Sequence, residues 1–143
     1  MPYTACAIVT GGRSGHATTE NPSAQFVTST PVELGGTGEG VNPEQLFAVG
    51  WGACYQSALM AAAKEMRVNG MKVMKSRVRV SITIGDDGKS EGSVGLSAKI
   101  EVCVPDLDLD IVQKLAYRAD EICPYSKATH GNIPEEIIAV LNL

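Results

Sequence analysis

The stretch Asn42–Ala63, NPEQLFAVGWGACYQSALMAAA, limits the possible folds more than any other part of the chain. Asn42 is a good N-cap, Pro43 suits the first helical position because its missing N–H costs nothing there, and Gln45 completes an Asn-x-x-Gln start. A helix begins here. From Leu46 to Ala63 no residue is charged, and apolar or small side chains fall on every face, so this helix needs protein around it rather than water on one side. Eighteen uncharged residues also approach the lower limit for a membrane span. The run is rich in Ala and Gly, carries Gln56 and Ser57, and sits in a chain of mean hydropathy +0.03, which favours a core helix over a transmembrane one.

The 143 residues fit one domain, 1–143, with a single core. Lys and Arg number 12 against 16 for Asp and Glu, and no basic block is present to track phosphates, which argues against a nucleic-acid partner. The segment MPYTACAIVTGG lacks a basic region followed by an apolar core, so no secretory signal is expected and the cytoplasm is the expected compartment. The cysteines at 6, 54, 103 and 123 form no C-x-x-C pair, and a reducing compartment disfavours structural disulfides.

In chain order, Tyr3–Val9 and His16–Glu20 read as strands around the Gly11–Gly15 turn, and Gln25–Thr30 reads as a third strand. The glycine-rich approach Pro31–Val41 leads into the central helix, which the sequence carries to about Asn69, with Gly70 as its stop. Alternation from Arg77 to Ile84, the Asp86-Asp87-Gly88 turn and the run Ser93–Val102 predict a second hairpin with one wet face. Ile111, Val112, Leu115, Ala116, Ala119 and Ile122 recur at helical spacing, Pro124 ends that helix, and Ile137–Leu143 is a last β-prone stretch. This order predicts an α+β fold with antiparallel sheets wrapped around a central buried helix. One small sheet covers one side of that helix only, so the rest of its cover is expected from a second copy, in an interlocked homodimer.

Cys54 lies twelve residues beyond the N-cap, outside the turn where the helix dipole stabilises a thiolate, and a Cys amid Ala and Gly packs as a small hydrophobe unless a cation is delivered to it. Arg13, in its glycine-rich turn, is the best candidate by type for that cation, and Glu44 lies in the first helical turn, where the dipole favours a carboxylate.

GGRSG, NPEQLFAVGWGACY and ICPYSKATHGNI, in this order and spacing, resemble the organic hydroperoxide resistance proteins of the OsmC/Ohr family over nearly the whole chain. The resemblance implies a thiol-dependent peroxidase, an OsmC/Ohr-like fold, an interlocked homodimer and active sites at the dimer interface. By position, Cys54 is similar to the peroxide-attacking cysteine, Cys123 to the resolving one, and Arg13 and Glu44 to the pair that prepares the thiolate. The substrate-binding wall is expected from Leu46, Phe47, Trp51, Tyr55 and Tyr125. Their apolar surface favours organic hydroperoxides over hydrogen peroxide. The family reductant resembles a protein-bound lipoyl dithiol, and the scheme needs no metal or organic cofactor and no membrane. Cys6, Cys103 and Trp51 depart from the family motifs, and Pro134-Glu135-Glu136 is expected to lengthen the last loop.

Two other classes remain open at this point. One is a non-peroxidase OsmC-like protein that binds an apolar ligand while its cysteines merely pack. The other is a metal site of Cys54 and Cys123 with His130 or His16, which the lack of local ligand pairs disfavours.

Overall fold

In the computed structural model, which describes Met1–Leu143, the start of the central helix closes as a reciprocal capping box. The Gln45 N–H donates to Asn42 Oδ1 at 2.8 Å, and the Asn42 N–H donates to Gln45 Oε1 at 3.0 Å. The helix, α1, runs unbroken from Pro43 to Glu65, through Gly50 and Gly52. It stops four residues earlier than the sequence suggested. Arg67 takes the left-handed conformation (φ 55°), the Val68 N–H bonds to the Ala63 carbonyl at 2.9 Å, and the Arg67 N–H reaches the Lys64 carbonyl at 3.4 Å. This is a Schellman end with arginine where glycine is usual, so the expected sequence signal was missing. Gly70 is not the stop; it opens a short helix, α2 (Gly70–Val73), whose N-cap Asn69 accepts from the Met71 N–H.

The chain forms two compact units, Met1–Leu46 and Phe47–Leu143, with α1 starting in the first and continuing into the second. In the first, β1 (Ala7–Thr10), β2 (His16–Thr19) and β3 (Gln25–Val27) form an antiparallel meander in that order, with Ala7 opposite Thr19 and His16 opposite Val27. β1 is exposed along its whole length, and Ile8 and Val9 are both more than half exposed. A 3-10 turn at Val32–Leu34, closed by Gly35 at φ 85°, structures part of the glycine-rich approach.

The second unit holds the hydrophobic core. β4 (Arg77–Asp86) and β5 (Val94–Cys103) pair antiparallel over their full lengths, and α3 (Leu109–Ile122) and α4 (Pro124–Thr129) lead to β6 (Glu135–Ala139). β6 lies on β5 and runs parallel to it, so this sheet is mixed where an antiparallel one was expected. The α3–α4 connection supplies the crossover that a parallel neighbour requires. Pro124 does not simply terminate a helix: it sits at the first position of α4, where it costs no hydrogen bond. Glu135 and Glu136 belong to β6, and the Ala98 N–H bonds to the Pro134 carbonyl, so Pro134-Glu135-Glu136 extends the sheet instead of lengthening a loop.

α1 buries Trp51, Tyr55, Ala58, Leu59, Ala62 and Ala63 against β5 residues Ile100 and Val102 and α3 residues Val112, Leu115 and Ala116. Its other face is bare within this unit: Val49, Ala53, Ser57 and Ala61 are exposed. A window of this helix meets the length and hydropathy of a membrane span, but it carries the largest core side chains, as a core helix does.

Candidate functional site

In the first unit, the turn between β1 and β2 presents Arg13. Gly11 (φ 74°) and Gly12 (φ 57°) take left-handed conformations, and a Cβ at Gly15 would stand 2.0 Å from the Thr10 carbonyl oxygen. The buried Thr28 staples this turn: its Oγ1 accepts from the Gly15 N–H at 2.8 Å and donates to the Gly12 carbonyl at 2.9 Å. Arg13 then meets Glu44 in the first turn of α1 through two bonds, Nη1 to Oε2 at 2.9 Å and Nη2 to Oε1 at 2.6 Å. This is a fork-on-carboxylate pair. The hydrogen-bonded guanidinium holds the Glu44 carboxyl below the usual carboxylate range, and Arg13 is raised in turn. Sequence reasoning named Arg13 and Glu44 but missed Thr28, whose only sequence signal is a hydroxyl residue at the end of the third strand.

In the second unit, Cys54 is half-buried on α1 and Cys123 is fully buried at the joint between α3 and α4. Both are free thiols, and Cys54 is near enough to Cys123 to act on its ionisation. Burial pushes the Cys123 thiol up; the Ser126 N–H and hydroxyl pull it partly back, and Cys54 raises it further. Cys123 is the N-cap residue of α4 but makes no side-chain capping bond, and Ser126 follows three residues on. Ser126 is buried, and its Oγ accepts from Trp51 Nε1 at 3.0 Å.

The named wall residues divide. Trp51 and Tyr55 are fully buried, and the Tyr55 hydroxyl donates to the Ala116 carbonyl, so Tyr55 is a core residue and Trp51 a strut under Ser126. Burial and the nearby Asp120 and Glu135 carboxylates drive the Tyr55 phenol up. Phe47 touches both Trp51 and Tyr125, with ring centroids 5.4 Å and 6.4 Å apart, and Tyr125 keeps 40% of its surface. Gly50 makes room for it, since a Cβ there would lie 3.0 Å from the Tyr125 hydroxyl. Leu46, the last residue of the first unit, is half-buried. Cys103 is buried at the end of β5, its Sγ 3.3 Å from the Leu141 carbonyl, while Cys6 is exposed just before β1.

His130 faces carboxylates, not thiols. Its Nε2 lies 2.7 Å from Asp120 Oδ2 and 3.3 Å from Glu135 Oε1. The hydrogen bond to Asp120 raises His130, and burial together with the Asp120 charge pushes Glu135 up to about 7. Sequence reasoning singled out none of the three as a group, because they come from three separate elements.

The profile of the OsmC-like protein family matches residues 36–137. The chain belongs to the OsmC/Ohr family. It is 39% identical over 132 residues to the organic hydroperoxide resistance protein of Xanthomonas axonopodis pv. citri (strain 306), covering 92% of this chain and 89% of that one. Among solved structures, an organic hydroperoxide resistance protein from Elizabethkingia anophelis with thiocyanate bound superposes with a TM-score of 0.85 at 34% identity, covering 99% of each chain. The organic hydroperoxide resistance protein OhrB of Bacillus subtilis gives 0.82 at 34% identity, over 96% of this chain and 98% of that one.

Proposed function

We propose that this protein is a thiol peroxidase that reduces organic hydroperoxides to alcohols, with Cys54 as the attacking residue and Cys123 as the resolving one. The observation that carries the reading is the buried Cys123 thiol at the joint of α3 and α4, near enough to Cys54 for that thiol to push it up. The names of the relatives support the substrate class. The Cys54 thiolate attacks the terminal peroxide oxygen, the O–O bond breaks, and the alkoxide leaves with a proton as the alcohol, leaving a sulfenic acid. The Cys123 thiol then displaces the sulfenic hydroxyl as water, forming the Cys54–Cys123 disulfide. An external dithiol such as a lipoyl group returns both thiols by exchange and is itself oxidised to a disulfide.

Arg13 supplies positive charge to the Cys54 thiolate and donors to the peroxide, with Glu44 fixing its orientation. The exposed Phe47–Tyr125 edge gives alkyl groups a surface to cover. The bare, uncharged strip Val49, Ala53, Ser57 and Ala61 supports a homodimer that covers it. Free thiols of this kind persist in a reducing cytoplasm. The test is steady-state turnover of cumene hydroperoxide with dihydrolipoamide. Wild type should turn over and Cys54→Ser should not; equal rates in both would overturn the reading.

A further inference from the structure

The group formed by Asp120, His130 and Glu135 lies outside the proposed thiol chemistry and has features that ion pairing does not explain. Asp120 sits in the last turn of α3, His130 caps the end of α4, and Glu135 opens β6. One carboxylate oxygen of each acid faces His130 Nε2, at 2.7 and 3.3 Å. The other two, Asp120 Oδ1 and Glu135 Oε2, are buried without any hydrogen-bond partner. Asp120 as a whole is 8% exposed. Two carboxylates held together out of water, each with an orphaned oxygen, need a cation or a proton between them.

We propose that Asp120, His130 and Glu135 form a binding site for a divalent transition-metal ion of mixed nitrogen and oxygen preference, such as Mn²⁺. Their ligating atoms lie within 4.8 Å of one another. Adjacent ligands of an octahedral ion with bonds near 2.1 Å stand about 3 Å apart, the range of the two Nε2–oxygen contacts. A doubly charged ion neutralises both carboxylates. The imidazole and carboxylate set, with no thiol in it, suits Mn²⁺, Fe²⁺ or Co²⁺ over soft, thiol-seeking ions. The exposed ring of His130 opens the site to solvent, which leaves a way in and room for water ligands. The bound ion ties α3, α4 and β6 together around the joint that carries Cys123.

Mn²⁺ is the probe of choice because it leaves the cysteines alone. The full chain, reduced and stripped with chelator, is titrated while free Mn²⁺ is read by electron paramagnetic resonance and the two histidines are read by proton NMR. One ion per chain should bind, and the His130 ring signals should broaden before those of His16. Removing a direct ligand in His130→Gln or Glu135→Gln should weaken binding by more than the roughly 10–100-fold that loss of an outer-shell partner costs. The NMR readout needs no variant to fold. If Mn²⁺ stays free at millimolar concentration, or His16 broadens as readily as His130, the acids merely share a proton and the proposal fails. Unchanged affinity in a folded Glu135→Gln would also overturn it.

Discussion

Arg13 and Glu44 meet as a planar fork on a carboxylate, two parallel bonds of 2.9 and 2.6 Å across 31 residues of sequence. Lysine carries the same charge but cannot offer two coplanar donors. Arg13→Lys should therefore lose most of the peroxidase kcat/KM, on the order of tenfold or more, while the circular dichroism stays that of wild type. Turnover and a Cys54 thiolate titration that both match wild type would leave Arg13 as an ordinary turn residue.

The same pair sets a pH dependence of stability. The Glu44 carboxyl lies below its ordinary value in the folded protein because Arg13 bonds to it, so its contribution is complete above the unfolded pKa of about 4.3. That contribution disappears as pH falls through the lower folded value. Glu44→Gln should cost about 1 kcal/mol at pH 7, since one partner of the pair is partly in water. The difference from wild type should shrink to nothing in acid, as urea melts from pH 7 down to pH 2 would reveal. A gap that stays constant or widens towards acid would mean the carboxylate is not stabilised by Arg13.

Oxidation should join Cys54 to Cys123 within one chain. Both are free, and Cys54 is one of the groups that push the buried Cys123 thiol up, which makes the two thiols neighbours within one compact unit. One equivalent of cumene hydroperoxide followed by non-reducing peptide mapping should recover that link. A map dominated by Cys6 to Cys103, or by links between chains, would contradict it.

Substrate size should matter because Phe47 and Tyr125 offer apolar surface that hydrogen peroxide cannot use. Burying roughly 100 Å² of an organic group is worth about 2.5 kcal/mol, so cumene hydroperoxide should exceed hydrogen peroxide by at least about tenfold in kcat/KM. Equal values would show that the aromatic edge takes no part in binding.

What the sequence made legible was local and periodic. Asn42 with Gln45, the alternation along β4 and β5, and the 3.6-residue spacing in α3 each carry their own physical cause, and each forms as read. What it hid depends on partners distant in sequence, or on residues that depart from the usual type. Arg67 ends α1 in a conformation normally left to glycine, and Pro124 starts α4 after the preceding helix has already ended at Ile122. β6 runs parallel because of the route α3 and α4 take, which no pattern within Glu135–Ala139 encodes. Tyr55, named for the substrate wall, stands next to Cys54 in sequence, yet one step along a helix turns a side chain by about 100°, and that step carries it into the core. Asp120, His130 and Glu135 belong to three elements, so only the packed chain reveals them as a group.

The proposed site raises a distance problem that a second copy of the chain would solve. Glu44 and Cys54 lie on one helix, ten residues apart, and α1 runs through Gly50 and Gly52 without a break. At 1.5 Å per residue they are about 15 Å apart along the axis, and a glutamate side chain spans only a few ångströms. A kink could have shortened the gap, and the unbroken helix removes that route. A two-fold partner that laid the start of its own α1 beside this Cys54 would bring its own Arg13–Glu44 pair with it, and the same contact would cover the bare strip Val49, Ala53, Ser57 and Ala61. Cys54→Ser and Glu44→Ala should each be inactive alone. Mixed under conditions that exchange subunits, they should form heterodimers with one site rebuilt from the intact Cys54 of one chain and the intact Glu44 of the other. Half of a statistical mixture is heterodimer with one good site of two, so about a quarter of wild-type turnover should return. No recovery despite exchange proven by mass-tagged chains would show that each chain builds its site alone.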